Sequence, residues 1–237
     1  MEEWRIDRID FVRNTSCKFC DRPLKTNVAF ILVDPSGTEV QSGPKCARNH
    51  SLNPMDKVPD FTKASFDVPS EEEDEGGNGK SAISKPSSSR KTLSGPRKDG
   101  DEAIEYLRLR MEKLAGFNGA SFGKLQEIYG RYASGAIAQE DRAYLTNLIA
   151  KMEREHSRYS HSNLQTCYAY AFWMDCFLEK KDSDFIQSVN TALKDKLHLT
   201  EGQLEGINKW FEHQKGIPRF RPDAFKGVQH SPFGTQS

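Results

Sequence analysis

The chain has 237 residues and a formal net charge of zero, with 36% hydrophobic and 29% charged residues. That length accommodates one large domain or two small ones and is enough to bury a core. The balance suits folded regions joined by some disordered sequence. Charge is even along the chain as well: residues 1–69 carry ten acidic and ten basic side chains, residues 70–100 six and six, and the remainder eighteen of each. No segment is a basic patch by count, which removes the simplest argument for nucleic-acid binding. No apolar run approaches the roughly 20 residues of a membrane helix. The N-terminus MEEWRIDRID lacks the basic-then-apolar order of a signal peptide, so a cytoplasmic protein without a membrane partner is expected. Five cysteines in such a chain favour reduced thiols or thiolate–metal bonds over a disulfide scaffold.

The first element with chemical content is SCKFCDRPL, residues 16–24, which sets Cys17 and Cys20 three positions apart. The segment NVAFILVDPSGTEVQSG then reads as a β-hairpin, with Asp34, Pro35, Ser36 and Gly37 supplying the reversal. GPKCARNH follows, placing Cys46 and His50 four apart, one turn apart on a helix face. Cys17, Cys20, Cys46 and His50 together make three sulfurs and one imidazole, the closed tetrahedral set of a structural zinc site. A bound ion substitutes for the large core that this short, apolar-poor stretch cannot build. A dithiol redox pair needs Cys-x-x-Cys at a helix start after a buried strand, a setting absent around residue 17. Unliganded thiols remain an alternative, as does a coordination sphere completed by Asp21 or water in place of His50.

Cys17, Cys20, Arg22, Pro23, Leu24, Gly37 and the GPKCA segment resemble the small treble-clef-like zinc modules of bacteriophage and mobile-element proteins, over about residues 12–52. The resemblance implies a knuckle carrying the first two cysteines, Cys46 at the start of a closing helix, and His50 in the place of the last ligand. It also implies a phage or plasmid setting, hence a host cytoplasm, and says nothing of an activity. Phe19, Leu24, Phe30, Leu32 and Val40 are expected to pack the hairpin on that helix. Lys18, Phe19, Lys25, Lys45 and Arg48 are the candidate nucleic-acid contacts, cations beside an aromatic ring being the usual combination. The competing reading is a solvated rim on a folding module.

Residues 70–100 contain only Ile83 and Leu93 as large apolar side chains and are expected to be a disordered charged linker. Beyond it the apolar spacing changes to threes and fours: Ile104, Leu107, Met111 and Leu114, then Ile186, Val189, Leu193 and Leu197. This marks amphipathic helices. Aligning Phe122 with Phe185 suggests a two-fold repeat of helix, turn, helix. Thr200 and Gln203 form a capping-box start for the last of these helices. CYAYAFWMDCF is apolar nearly all round and is read as the central helix, with Cys167 and Cys176 as buried structural thiols. His156 and His161 are assigned to a polar inter-helix loop. The tail after residue 216 is expected to be flexible or a strap held by its phenylalanines.

The expected fold class is α+β and mostly α. Its parts are a zinc-binding module over residues 1–69, a linker over 70–100, an α-helical domain over 101–216 and a tail over 217–237. No P-loop, dinucleotide turn, nucleophile elbow or recognisable carboxylate pair is present, so the expected protein is not an enzyme. Two non-enzymatic functions follow: a zinc-containing accessory nucleic-acid-binding protein whose helical domain or tail recruits a protein partner, or a protein-interaction adaptor in which zinc is purely structural. An enzyme would require a deep pocket lined by ionisable groups.

Overall fold

Backbone propensities divide the chain as its hydrophobic periods suggest, with β-branched residues concentrated early and 3.6-residue periods late. The computed structural model describes residues 3–55, 58–64, 66–67, 99–155 and 157–228. All but the last two residues of the expected linker lie outside that set, as do His156, His230 and Phe233. Among the described residues the fold is α+β and mostly helical, with one three-stranded antiparallel sheet and seven α-helices. No helix is long and apolar enough to cross a membrane.

Strands β1 (Arg5–Phe11), β2 (Val28–Val33) and β3 (Glu39–Ser42) lie in the order β1-β2-β3. The β2–β3 hairpin is the one expected from sequence. Its reversal is held by Asp34, whose Oδ1 accepts from the N–H groups of Ser36 and Thr38, and Gly37 takes the φ of +87° that the turn requires. Helix α1 (Pro44–His50) follows directly, with Pro44 in its first turn, where a missing N–H costs nothing. Phe19, Phe30, Leu32 and Val40 pack with Trp4, Ile6 and Ala47 of α1, whereas Leu24 joins Val12, Ala29 and Ile31 in a separate cluster.

Strand β1 had no counterpart in the sequence reading. Its register shifts between Ile6 and Arg8, leaving Asp7 as the extra residue of a bulge. That side chain points to helix α2 (Asp99–Arg108), where Arg108 donates to Asp7 Oδ1 at 3.0 Å and to Oδ2 at 2.7 Å. The helix then widens into a π-helical turn, Leu109–Lys113, closed by the Leu114 N–H on the Leu109 carbonyl. Five-residue spacing brings Arg108 and Lys113 onto one face, so both reach β1. Lys113 and Arg8 bind Asp10, whose other carboxylate oxygen accepts from the Phe11 N–H and from the hydroxyl of Tyr168.

Burial acts most strongly on the Asp7 carboxyl and opposes its ionisation, but the hydrogen bonds and charges of Arg108 and Arg8 outweigh it. The carboxyl is therefore held below its ordinary 3.8. A group with a lowered folded value contributes stability above its unfolded value and loses it as pH falls through the folded one. An Asp7→Asn protein is thus expected to melt below the native chain at pH 7. The gap should close as pH falls below 3.8, and a pH-independent gap in thermal melts would refute the linkage.

The remaining helices are α3 (Gly123–Ala133), α4 (Gln139–Arg154), α5 (His161–Leu178), α6 (Asp184–Lys196) and α7 (Glu201–Phe211). Helix α5 is the central element, with Tyr170, Phe177 and Met174 fully buried. The capping box at Thr200 and Gln203 forms as expected, each side chain meeting the other's backbone N–H. The α3–α4 and α6–α7 pairs share a helix, turn, helix layout. Their surroundings differ, because α2 packs chiefly on α4 while α5 packs chiefly on α6.

Tertiary contacts bear on three sequence expectations. Phe11 stacks on Phe172 at 4.8 Å, so the N-terminal sheet and the helices share one hydrophobic core. The start of the tail is docked, in keeping with the strap held by phenylalanines and not with the flexible alternative: β5 (Arg219–Phe220) pairs with β4 (Phe66–Asp67), Phe220 stacks on Tyr170 at 3.8 Å, and Asn208 brackets the Phe220 backbone. His161 opens α5 as a buried residue beside Glu105 and Tyr106, because α2 covers the position assigned to a polar loop.

Candidate metal centre

Residues 15–24 fold back as a tight hairpin against the end of β3. Leu24 N–H donates to the Thr15 carbonyl, Cys17 N–H to that of Arg22, and Lys18 N–H to that of Gln41. Asp21 closes the reversal with φ of +56°, a left-handed conformation that aspartate tolerates, and its N–H binds the Cys17 carbonyl at 2.8 Å. Cys46 comes from the first turn of α1. The Sγ atoms of Cys17, Cys20 and Cys46 all lie within 4.8 Å of one another. Sulfur ligands of a tetrahedral zinc ion stand about 2.3 Å from it and hence about 3.8 Å apart, so the cluster fits a metal without rearrangement of the backbone.

The sulfurs differ in surroundings: Cys17 is buried, Cys46 half-buried and Cys20 exposed. Burial is the strongest influence on Cys17 and raises it. Donors from the Gly43 backbone, the Ser42 hydroxyl, the Phe19 backbone and the Cys20 thiol overcome it and bring the thiol down to about 6. Hydrogen bonding to Cys20, then burial, then Cys17 push Cys46 up to about 11. A buried sulfur supported by amide and hydroxyl donors beside two further cysteine sulfurs is a ligand set that a thiophilic dication takes by displacing protons.

His50 stands outside the three-sulfur group. Its exposed ring lies flat on Phe19, with centroids 4.1 Å apart and planes 4° from parallel, while Trp4 meets Phe19 edge-on at 6.0 Å. Asp21, the alternative ligand, is likewise outside the group. Phe19, one of the candidate nucleic-acid contacts, is half-buried, packs against the small core with Trp4 and Ile6, and carries the His50 ring on one face. Lys18, Lys25, Lys45 and Arg48 are exposed and have no carboxylate partner among the described residues.

The balance of charge is unequal in space. Asp7, Asp10 and Glu39 are engaged by Arg8, Arg108 and Lys113, and Asp34 is held by its own turn. Arg13 turns to Glu179 and Asp175 of α5. Over residues 3–55 this leaves Glu3, Asp21 and Asp34 as the acids without a cationic partner among the described residues. Arg5, Lys18, Arg22, Lys25, Lys45 and Arg48 remain exposed and unmatched. A count of charges cannot find this segregation, since it depends on which carboxylates face inward. No protein-family model, curated protein or solved structure matches this chain.

Proposed function

We propose that the chain is a zinc-containing accessory nucleic-acid-binding protein. Cys17, Cys20 and Cys46 hold one structural zinc ion, and the fourth position is open to His50 once its ring leaves Phe19. The exposed cations Lys18, Lys25, Lys45 and Arg48 meet phosphates, and the helices recruit a protein partner. The observation that carries this reading is the spatial segregation of charge, since unpaired lysines and arginines on one small module supply the counterion-releasing contacts that dominate nucleic-acid affinity.

The test is a titration of labelled single- and double-stranded oligonucleotides with zinc-quantified protein at several salt concentrations. Four phosphate contacts on a single strand predict a log–log slope of about −3 in salt. Lys45→Gln with Arg48→Gln is expected to reduce that slope by about half, each lost phosphate contact removing its share of the released counterions. Absence of binding at low salt with zinc in place would favour the adaptor reading. That reading has its own support in Phe122, Tyr144, Phe185 and Trp210, each more than a third exposed on the helical part.

A further inference from the structure

A cavity of about 510 Å³ opens beside α1, lined by Phe30, Arg48, Ser51, Asn53, Pro54 and Met55. Its volume falls within the range of about 300–1,000 Å³ typical of small-ligand sites. The polar groups of its wall are already engaged. Asn53 Oδ1 accepts from the Ile6 N–H at 2.7 Å, its Nδ2 donates to the Ile6 carbonyl at 2.9 Å, and the Ser51 hydroxyl donates to the Asn53 carbonyl at 3.2 Å. These bonds anchor the 51–55 stretch to β1. What the wall offers a ligand is therefore the apolar surface of Phe30, Pro54 and Met55 together with the guanidinium of Arg48.

Two neighbouring features extend the site. Leu52, in the same stretch, is 62% exposed, the highest value among the exposed large hydrophobic residues. Lys45 precedes Arg48 by three residues on α1, so the two cations share one helix face, and neither has a carboxylate partner among the described residues. An apolar recess with Arg48 in its wall and Lys45 one turn away on the same helix matches a flat aromatic group joined to phosphates.

We propose that this cavity receives one unpaired base of a single-stranded nucleic acid, with the flanking phosphates on Lys45 and Arg48. The inference rests on the nucleic-acid reading above and adds to it a strand preference and a seat for the base. A base in a duplex is stacked and paired and cannot enter, so single strands are favoured over duplexes of the same length.

The experiment compares a twelve-nucleotide oligothymidylate with an abasic strand of equal length, using the full, zinc-loaded chain. Stacking of one base is worth about tenfold in affinity, so the abasic strand is expected to bind about tenfold more weakly. Met55→Ala should shrink that gap while leaving abasic affinity unchanged. Photo-crosslinking of a 4-thiothymidine strand to the native chain, mapped by mass spectrometry, should mark residues within 48–55 and does not depend on the variant's folding. Equal affinity for the two strands, a preference for duplex, or crosslinks confined to other segments overturns the base site and leaves phosphate binding standing. No binding of either strand overturns both readings, and displacement by an acidic peptide alone would assign the cavity to a protein ligand.

Discussion

A Cys17→Ser protein is expected to lose its zinc and to melt as the chelator-treated native chain does. Cys17 is the buried sulfur of the three and the one whose thiolate receives the Gly43 and Phe19 N–H groups and the Ser42 hydroxyl. A serine hydroxyl cannot replace it, because its proton is not displaced by zinc near neutral pH and its oxygen is a harder donor. At free zinc a thousand times the dissociation constant, the ion contributes about 4 kcal/mol to stability. The loss should appear as a lower melting temperature together with a fall in bound zinc by elemental analysis. His50→Ala is expected to retain the ion with weaker affinity, since the three sulfurs carry most of the interaction. Cys176→Ala should leave zinc unchanged, its thiol lying in the helical core with its ionisation disfavoured by burial. A Cys17→Ser protein that keeps zinc and melts normally sinks the metal reading.

The second large effect is expected at Asp10, whose carboxylate is 4% exposed and joins three elements. It accepts hydrogen bonds from Arg8 and Lys113 on one oxygen and from the Tyr168 hydroxyl and the Phe11 N–H on the other. Asp10→Ala leaves the half-buried Lys113 against the ring of Phe61 without its carboxylate, 5.4 Å from the ring centre. Arg8 keeps Asp7 and Glu39. Removing one partner of a buried ion pair costs about 3–5 kcal/mol, much of it the stranded charge. Urea denaturation should therefore show a loss of that size, while zinc content is retained because the sulfur cluster is built from other residues. Pairing Asp10→Leu with Lys113→Met should recover most of the loss, since apolar replacement of both members is often near neutral. Failure of the double variant to recover would assign the stability to Tyr168 and the Phe11 backbone instead of to the charge pair.

The proposed nucleic-acid face and the Asp10 junction are linked by one physical fact. Carboxylates of the N-terminal region are spent on the helices, through Arg108 and Lys113, and on Arg8 within the sheet. Lysines of the knuckle and of α1 are left to solvent. Docking the sheet on the helices thus pairs Asp7 and Asp10 and leaves Lys18, Lys25, Lys45 and Arg48 exposed without a carboxylate partner among the described residues. Variants that loosen the junction should expose acidic groups and weaken oligonucleotide binding in proportion.

Local features were legible because they depend on neighbours in sequence. The Cys17–Cys20 spacing, the Asp34–Gly37 reversal, Pro44 at the start of α1 and the Thr200–Gln203 box all place their partners within a few residues, and each forms as read. Apolar spacing marked the helices for the same reason, and α5 is buried almost all round as its composition requires. Strand β1 was not legible, because the bulge at Asp7 breaks the alternation of apolar residues between Ile6 and Phe11. The polar positions of α2 were misleading in the same way. Glu105 and Arg108 fit a solvated face by type but are buried, since Lys63 and Asp7 meet them there, and Arg110 of the π-helical turn is buried on the carbonyls of Gly119 and Ala120 and the hydroxyl of Tyr106.

What the sequence alone determined is the cysteine set, the hairpin and the helix periods, the last two set by covalent spacing and local backbone preference. Only the tertiary structure decided where charge and aromatic surface come to lie. Phe19 is taken by His50 and Trp4, Phe220 closes over Tyr170, and Asp7 and Asp10 turn away from the lysines that balance them in composition. Those pairings join residues up to about a hundred positions apart, and their energies depend on burial that no local pattern encodes.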